Sequence, residues 1–188
     1  MVPRGSRVLD LGSGDGVLLA YLAAERGCSV SGVEASDEGF FACVARGVPV
    51  VQADMDSGVS EFEDGSFDVV ILSQRLQATN RPAVVLAEML RVGRVGIVSF
   101  RNVGYWPHRV GLAVRGRMTV SAALPHAWHD TPNIHLCTIS DFERLARELG
   151  LRTTRRVLLD AAGHETTGRA VRLRPNVLAA GAVYGLDR

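Results

Sequence analysis

The chain is expected to fold as an α/β protein built on a doubly wound, mostly parallel sheet of seven strands, in three α/β/α layers. Three observations lead there: short apolar runs alternate with helix-period segments, the connections between them are short, and a glycine-rich turn closes the first run. Alternation of this kind implies βαβ units with right-handed crossovers, so the sheet is covered on both faces.

The elements follow in order. Arg7–Leu11 is a strand that runs into the turn Gly12-Ser13-Gly14-Asp15-Gly16. Val17–Glu25 is a helix with Leu18, Tyr21 and Leu22 on one face. Ser29–Glu34 is the second strand, and Asp37–Arg46 a helix capped by Gly47. Val48–Gln52 and the β-branched run Phe67–Ser73 are the third and fourth strands. Pro82–Arg91 is a helix opened by proline, and Arg94–Phe100 the fifth strand. Residues 101–138 break the rhythm with Tyr105, Trp106, Trp128, four histidines and three prolines, as a functional loop or lid does. Ser140-Asp141-Phe142-Glu143 reads as a capping box for a helix to Leu149, closed by Gly150. Arg155–Asp160 and Val177–Tyr184 are expected to close the sheet, with Ala161–Pro175 a polar loop between them.

A length of 188 residues fits one domain, residues 1–188, carrying the 101–138 segment as an insert. No apolar run is long enough to span a membrane, and Met1–Ser6 lacks the apolar stretch of a signal peptide. Net charge is +1 with no long block of one sign, which disfavours nucleic acid and anionic membranes as partners. Every basic residue except histidine is arginine, which excludes a Schiff-base or P-loop lysine. Cys28, Cys43 and Cys137 are widely spaced, which suits free thiols in a reducing cytoplasm.

Ligands of open α/β sheets bind beyond the carboxyl ends of the strands, where the glycine turn lies. A P-loop would need G-x-x-x-x-G-K-[ST], which is absent. The dinucleotide pattern G-x-G-x-x-G/A fails at Val17, so a nicotinamide oxidoreductase is disfavoured. A strand bearing Asp10, then G-x-G-x-G, matches the first motif of class I methyltransferases, a Rossmann-like fold. Its turn faces the ribose and methionine parts of S-adenosylmethionine or S-adenosylhomocysteine.

Asp10, Gly12, Ser13, Gly14 and Asp15 are therefore the candidate cradle. Glu34 ends the second strand about twenty residues on, where a carboxylate accepts from both ribose hydroxyls; the alternative is an ordinary surface acid. Asp54 and Met55 follow the third strand at the adenine end, although Asp54 can equally cap a turn beside Asp56. Ser73 and Gln74 end the fourth strand at the methionine end. Asp68 reads as a structural residue at a strand start.

Several longer stretches are similar to the methionine biosynthesis protein MetW family. They are Val8–Gly16 with Leu19–Leu22, Leu72–Thr79, Glu88–Arg94, Ile97–Asn102, and above all Gly116–Met118 followed by Ala123–Thr138. The resemblance runs from about Gly5 to Tyr184. It implies a class I methyltransferase-like protein of methionine biosynthesis that works with a homoserine O-acyltransferase. Ser13 stands where the family has cysteine, a small-for-small change, and relatives carry a helix before the first strand.

Methyl transfer from a sulfonium needs alignment and desolvation, and a base only when the acceptor loses a proton. Catalytic candidates are Tyr105, His129 and His135, from an insert that also holds Trp106, His126, Trp128 and Asp130. The histidine spacing matches no metal motif, so no metal is expected. Tryptophan, tyrosine and arginine are favoured interface anchors, so the insert reads first as a docking surface. Two functions stay open: a cofactor-binding partner of the acyltransferase, and a methyltransferase acting on a small-molecule acceptor.

Overall fold

The computed structural model describes residues 1–56, 58–121 and 124–188; Ala123 of the motif noted above lies outside them. The strands are β1 (Arg7–Leu11), β2 (Ser29–Glu34), β3 (Val50–Gln52), β4 (Phe67–Ser73), β5 (Gly93–Arg101), β6 (Arg152–Leu159) and β7 (Gly181–Asp187). They form one sheet in the order β3-β2-β1-β4-β5-β7-β6. β1 to β5 run parallel, whereas β7 is antiparallel to β5 and β6 antiparallel to β7. Strand order reverses between β1 and β4, so the glycine turn sits at the switch point where such sheets bind ligands.

Alternate residues face opposite layers, as a pleated strand requires. Val8, Val69, Ile71 and Ile97 pack with Leu19, Leu22 and Cys43 from helices α1 (Val17–Arg26) and α2 (Asp37–Ala45). Leu9, Val70, Leu72, Val98 and Tyr184 pack on the other face with α3 (Pro82–Val92) and α5 (Ile139–Glu148). There Phe100, Phe142 and Tyr184 form an aromatic group, with ring centroids 4.7 to 5.9 Å apart. Burial on both faces is why these strands read as continuous apolar runs. Asp68 has the structural role expected of it, accepting from the Arg7 backbone N–H at 2.9 Å.

Four expectations need correction. Residues 101–138 contain a helix, α4 (Trp106–Arg115), begun by Pro107 and ended at Gly116 with φ 61°. Its one buried residue is His108; its apolar residues Trp106, Val110 and Val114 share a face that stays exposed, so no apolar stripe packs into the core. The capping box is made by Thr138 and Asp141, not by Ser140 and Glu143. Glu143 instead accepts from the Tyr184 hydroxyl at 2.7 Å and from Arg156 at 2.8 Å, a tertiary use that outweighs a local cap. The last two strands also shift: β6 starts at Arg152, and Pro175 opens a helical turn, α7 (Pro175–Leu178), which delays β7 to Gly181. A further short helix, α6 (Arg169–Leu173), lies in the expected polar loop.

Asn102 and Gln77 anchor the insert. The Asn102 amide donates to Ala179 O at 2.7 Å and Asn176 O at 3.1 Å, and its oxygen accepts from Gly104 and Ile139 N–H groups. The Gln77 side chain accepts from Arg101 N–H, while its carbonyl accepts from Ile134 and His135. Both ends of the insert are thereby tied to the sheet.

Thr138→Ala removes the hydroxyl half of the box at the start of α5 and is expected to destabilise the fold by about 1 kcal/mol, read as a lower urea midpoint.

Candidate functional site

The turn after β1 is built by backbone conformations that favour glycine. Gly12 and Gly16 sit at φ 74° and 76°. At Gly16, the N-cap of α1, a Cβ would stand 2.9 Å from the Cys43 sulfur, so α2 closes onto the turn only because that atom is missing. Gly12 and Ser13 donate to Val33 O at 2.8 and 3.0 Å, which holds the turn against β2.

Glu34 is the centre of the arrangement and is buried. Oε2 accepts from Gly14 N–H at 2.7 Å; Oε1 accepts from Ser36 N–H at 3.0 Å and from its hydroxyl at 2.7 Å. Ser36 in turn caps α2, accepting from Gly39 N–H. Burial alone raises the Glu34 carboxyl. The Ser36 N–H and hydroxyl, the Gly14 N–H and the Arg75 charge outweigh that and hold it below its ordinary value. Glu34 is thus a fixed carboxylate, not a surface acid.

Asp10 is buried behind the turn, and its Oδ1 has no hydrogen-bond partner among the described residues. Burial pushes its carboxyl up to about 7, with Arg75 opposing the rise and Glu34 adding to it. An orphaned buried oxygen of this kind calls for a partner from outside the chain.

The other expected residues divide. Met55 reaches the turn, its Cε 2.9 Å from where a Cβ on Gly12 would be. Ser13 turns inward, its hydroxyl 3.5 Å from Val33 O and 3.6 Å from Cys43 Sγ, so only its backbone is left to the cradle. Asp15 pairs with Arg46 at 3.2 Å and accepts from Val17 N–H at the start of α1. Asp54 accepts from Asp56 N–H at 2.9 Å, the turn-capping alternative. Ser73 lies 3.3 Å from the Ser99 hydroxyl, among residues on the α1 side of the sheet. Gln74 is exposed at the end of β4 with φ 57°.

Tyr105 stands at the start of α4 against Trp106 and His108, His129 is exposed beside Trp128, and the His135 ring lies 3.4 Å from Asn80 O. Among the described residues, no hydrogen bond or ring contact joins these three to the glycine turn, and no three metal-ligating side chains converge. Two participants escape the sequence reading. Ser36 sits two residues past Glu34, a spacing that signals a carboxylate-bridged helix cap. Arg75 lies over the turn, 3.7 Å from Glu34, with no local signal to announce it.

The sheet order, the reversed β7, the glycine turn and the acidic end of β2 together define the class I methyltransferase fold. The chain belongs to the methionine biosynthesis protein MetW family, whose model matches residues 1–186. It is 37% identical over 160 residues to the bifunctional methionine biosynthesis protein MetXA/MetW of Rhodopirellula baltica; the match takes in 80% of this chain and 26% of that protein, so the chain spans about a quarter of that relative's length. Among solved structures it resembles a SAM-dependent methyltransferase from Archaeoglobus fulgidus, with a TM-score of 0.70 and 16% identity over 99% of this chain and 86% of that one. It also resembles an S-adenosylmethionine-dependent methyltransferase from Mesorhizobium loti, with a TM-score of 0.69 and 18% identity over 100% of this chain and 94% of that one. At such identities the likeness is one of fold.

The Asp10 proton makes a prediction. The folded protein keeps it to about pH 7, whereas an unfolded aspartate releases it near 3.8, so its contribution to stability is complete below about pH 4 and lost as pH rises to 7. Asp10→Asn is expected to raise the thermal midpoint at pH 8, with a gain that shrinks steadily toward pH 5.

Proposed function

We propose that this protein binds S-adenosylmethionine or S-adenosylhomocysteine on the Gly12–Asp15 turn and acts with a homoserine O-acyltransferase in methionine biosynthesis. The observation that carries the first half is Glu34: a buried carboxylate, charged at neutral pH, fixed at the carboxyl end of β2 beside the glycine turn. A carboxylate so fixed suits the paired hydroxyls of a ribose. The unpartnered Asp10 oxygen suits a positively charged or hydrogen-bond-donating group of the same ligand. Met55 offers an apolar, adaptable contact at the turn, and Asp54 an acceptor at the adenine end. When bound, S-adenosylmethionine would supply an electrophilic sulfonium methyl group; S-adenosylhomocysteine, a thioether, has none to give. The residues named here bind and orient the ligand.

The second half rests on the relative that carries MetXA and MetW in one protein, and on the insert. We read residues 1–188 as one methyltransferase-like domain with 101–138 as its docking segment. Trp106, Val110 and Val114 recur at the spacing of one helical face on α4 and remain exposed, Val114 by 79%. Trp128 is 75% exposed nearby in the chain, and Arg109, Arg115 and Arg117 supply positive charge. An apolar face with an acidic rim on the acyltransferase is the complement of this surface.

Methyl transfer to a small acceptor is the second reading. It draws on a cavity of about 220 Å³ beyond β4 and β5, lined by Gln74, Phe100, Arg101 and Asp160. Labelled methyl transfer from S-adenosylmethionine into cell extract separates the two readings.

Titration calorimetry is expected to show binding of S-adenosylmethionine and S-adenosylhomocysteine but not NAD, and Glu34→Gln to weaken it about tenfold. Binding of NAD alone, or unchanged affinity in the variant, refutes the site. Co-purification with homoserine O-acyltransferase is expected, with Val114→Asp weakening the complex. Absence of both a complex and any change in acyltransferase activity, with and without S-adenosylmethionine, refutes the partnership.

A further inference from the structure

Arg75 leaves β4 and lies along the turn that the ligand reading needs open. Its Cγ stands 2.8 Å from the point a Cβ on Gly12 would occupy, and its Nη2 3.8 Å from the equivalent point on Gly14. That same nitrogen is 3.7 Å from Glu34 Oε2. The side chain therefore spans the turn from Gly12 to Glu34.

The backbone drives it there. Gln74 is the one non-glycine residue with positive φ among the described residues, at 57°. A left-handed conformation of this kind is disfavoured for a residue with a Cβ, which crowds the following carbonyl oxygen. It is held by the Gln74 N–H, which lies 3.0 Å from both the carbonyl and the hydroxyl oxygen of Ser99. That reversal at the end of β4 carries the next residue back over the turn.

Charge completes the arrangement. Glu34 raises the buried Asp10 carboxyl, and the Arg75 guanidinium lowers both carboxyls. It serves as an internal counter-cation for the pair. Its side chain is 38% exposed, so a path to solvent is open to it.

We infer that Arg75 is a latch on the cofactor site: its side chain occupies the part of the Gly12–Glu34 cradle that an adenosyl ligand's ribose requires, and must swing outward before the ligand's hydroxyls reach Glu34. This rests on the cofactor reading above. A ligand that carries a cation of its own, an ammonium or sulfonium, replaces the guanidinium as counter-charge to Asp10. Because only the open fraction is competent, the latch lowers apparent affinity and sets the ligand concentration at which the protein responds.

The test uses the full chain and two readouts. By calorimetry with S-adenosylmethionine and S-adenosylhomocysteine, Arg75→Ala is expected to bind about three- to tenfold tighter than the parent, as follows if the latch is open about a tenth to a third of the time. Arg75→Lys is expected to fall between them. Equal or weaker binding by Arg75→Ala overturns the latch, weaker binding marking Arg75 as a residue that holds the ligand. With no ligand added, carboxyl NMR is expected to show the Asp10 titration midpoint rising in Arg75→Ala. A midpoint that does not move overturns the latch independently. If neither protein binds either ligand, the cofactor reading falls, and the titration alone decides whether Arg75 guards the turn.

Discussion

The hydrogen bond from Gly14 N–H to the Glu34 carboxylate joins the ends of two strands and holds the site in shape. At 2.7 Å it fastens the turn after β1 to the end of β2, and the same carboxylate, through Ser36, fastens the start of α2. Charge-assisted bonds to backbone donors are among the stronger ones available to a protein. The close approach has a steric requirement. A Cβ on Gly39 would lie 2.7 Å from Glu34 Cγ and 2.8 Å from Gly14 O. Glycine on α2 is therefore as much a condition of this arrangement as glycine in the turn.

A carboxylate buried this way has consequences for its neighbours. Asp10 lies in its field with an oxygen left unpartnered, and Arg75 sits above the two as their counter-charge. Such a cluster is unfavourable for stability and is retained at binding sites, where a ligand later satisfies it. The same fold in the chain's structural neighbours belongs to methyltransferases, yet a fold does not dictate a reaction. In this chain α4 leaves Trp106, Val110 and Val114 exposed, and Asn102 and Gln77 hold the segment at its two ends.

Much of the fold was legible because the signals are local. The bounds of β1, α1, β2 and α2 fall within a residue of the expected ones, because Gly12, Gly16, Gly27, Ser36 and Gly47 mark their ends. Glu34 was legible for the same reason: strand, turn and acid lie within about twenty residues of one another. The misses share a different cause. Glu143 abandons a local cap for Tyr184 and Arg156, a strand away. β7 begins late because Pro175 starts a helical turn inside a run that is apolar throughout. α4 escaped notice because its apolar face, Trp106, Val110 and Val114, lies in a segment whose prolines, glycines and histidines read as a loop.

The sequence by itself determined the order of β1 to β5 with the helices between them, the parallel core of the sheet, the glycine turn and the acid opposite it. These follow from chain stereochemistry and from burial on two faces, both of which operate over a few residues. The tertiary structure alone decided where side chains point. Ser13 turns into the core because Gly32 leaves room for it, a Cβ there lying 2.7 Å from the Ser13 hydroxyl oxygen. Arg75 turns over the site because Ser99, on the neighbouring strand, holds Gln74 in a conformation its own propensity resists. Orientation is set by strand pairing across the sheet, and pairing partners 25 residues apart leave no periodic trace in the chain.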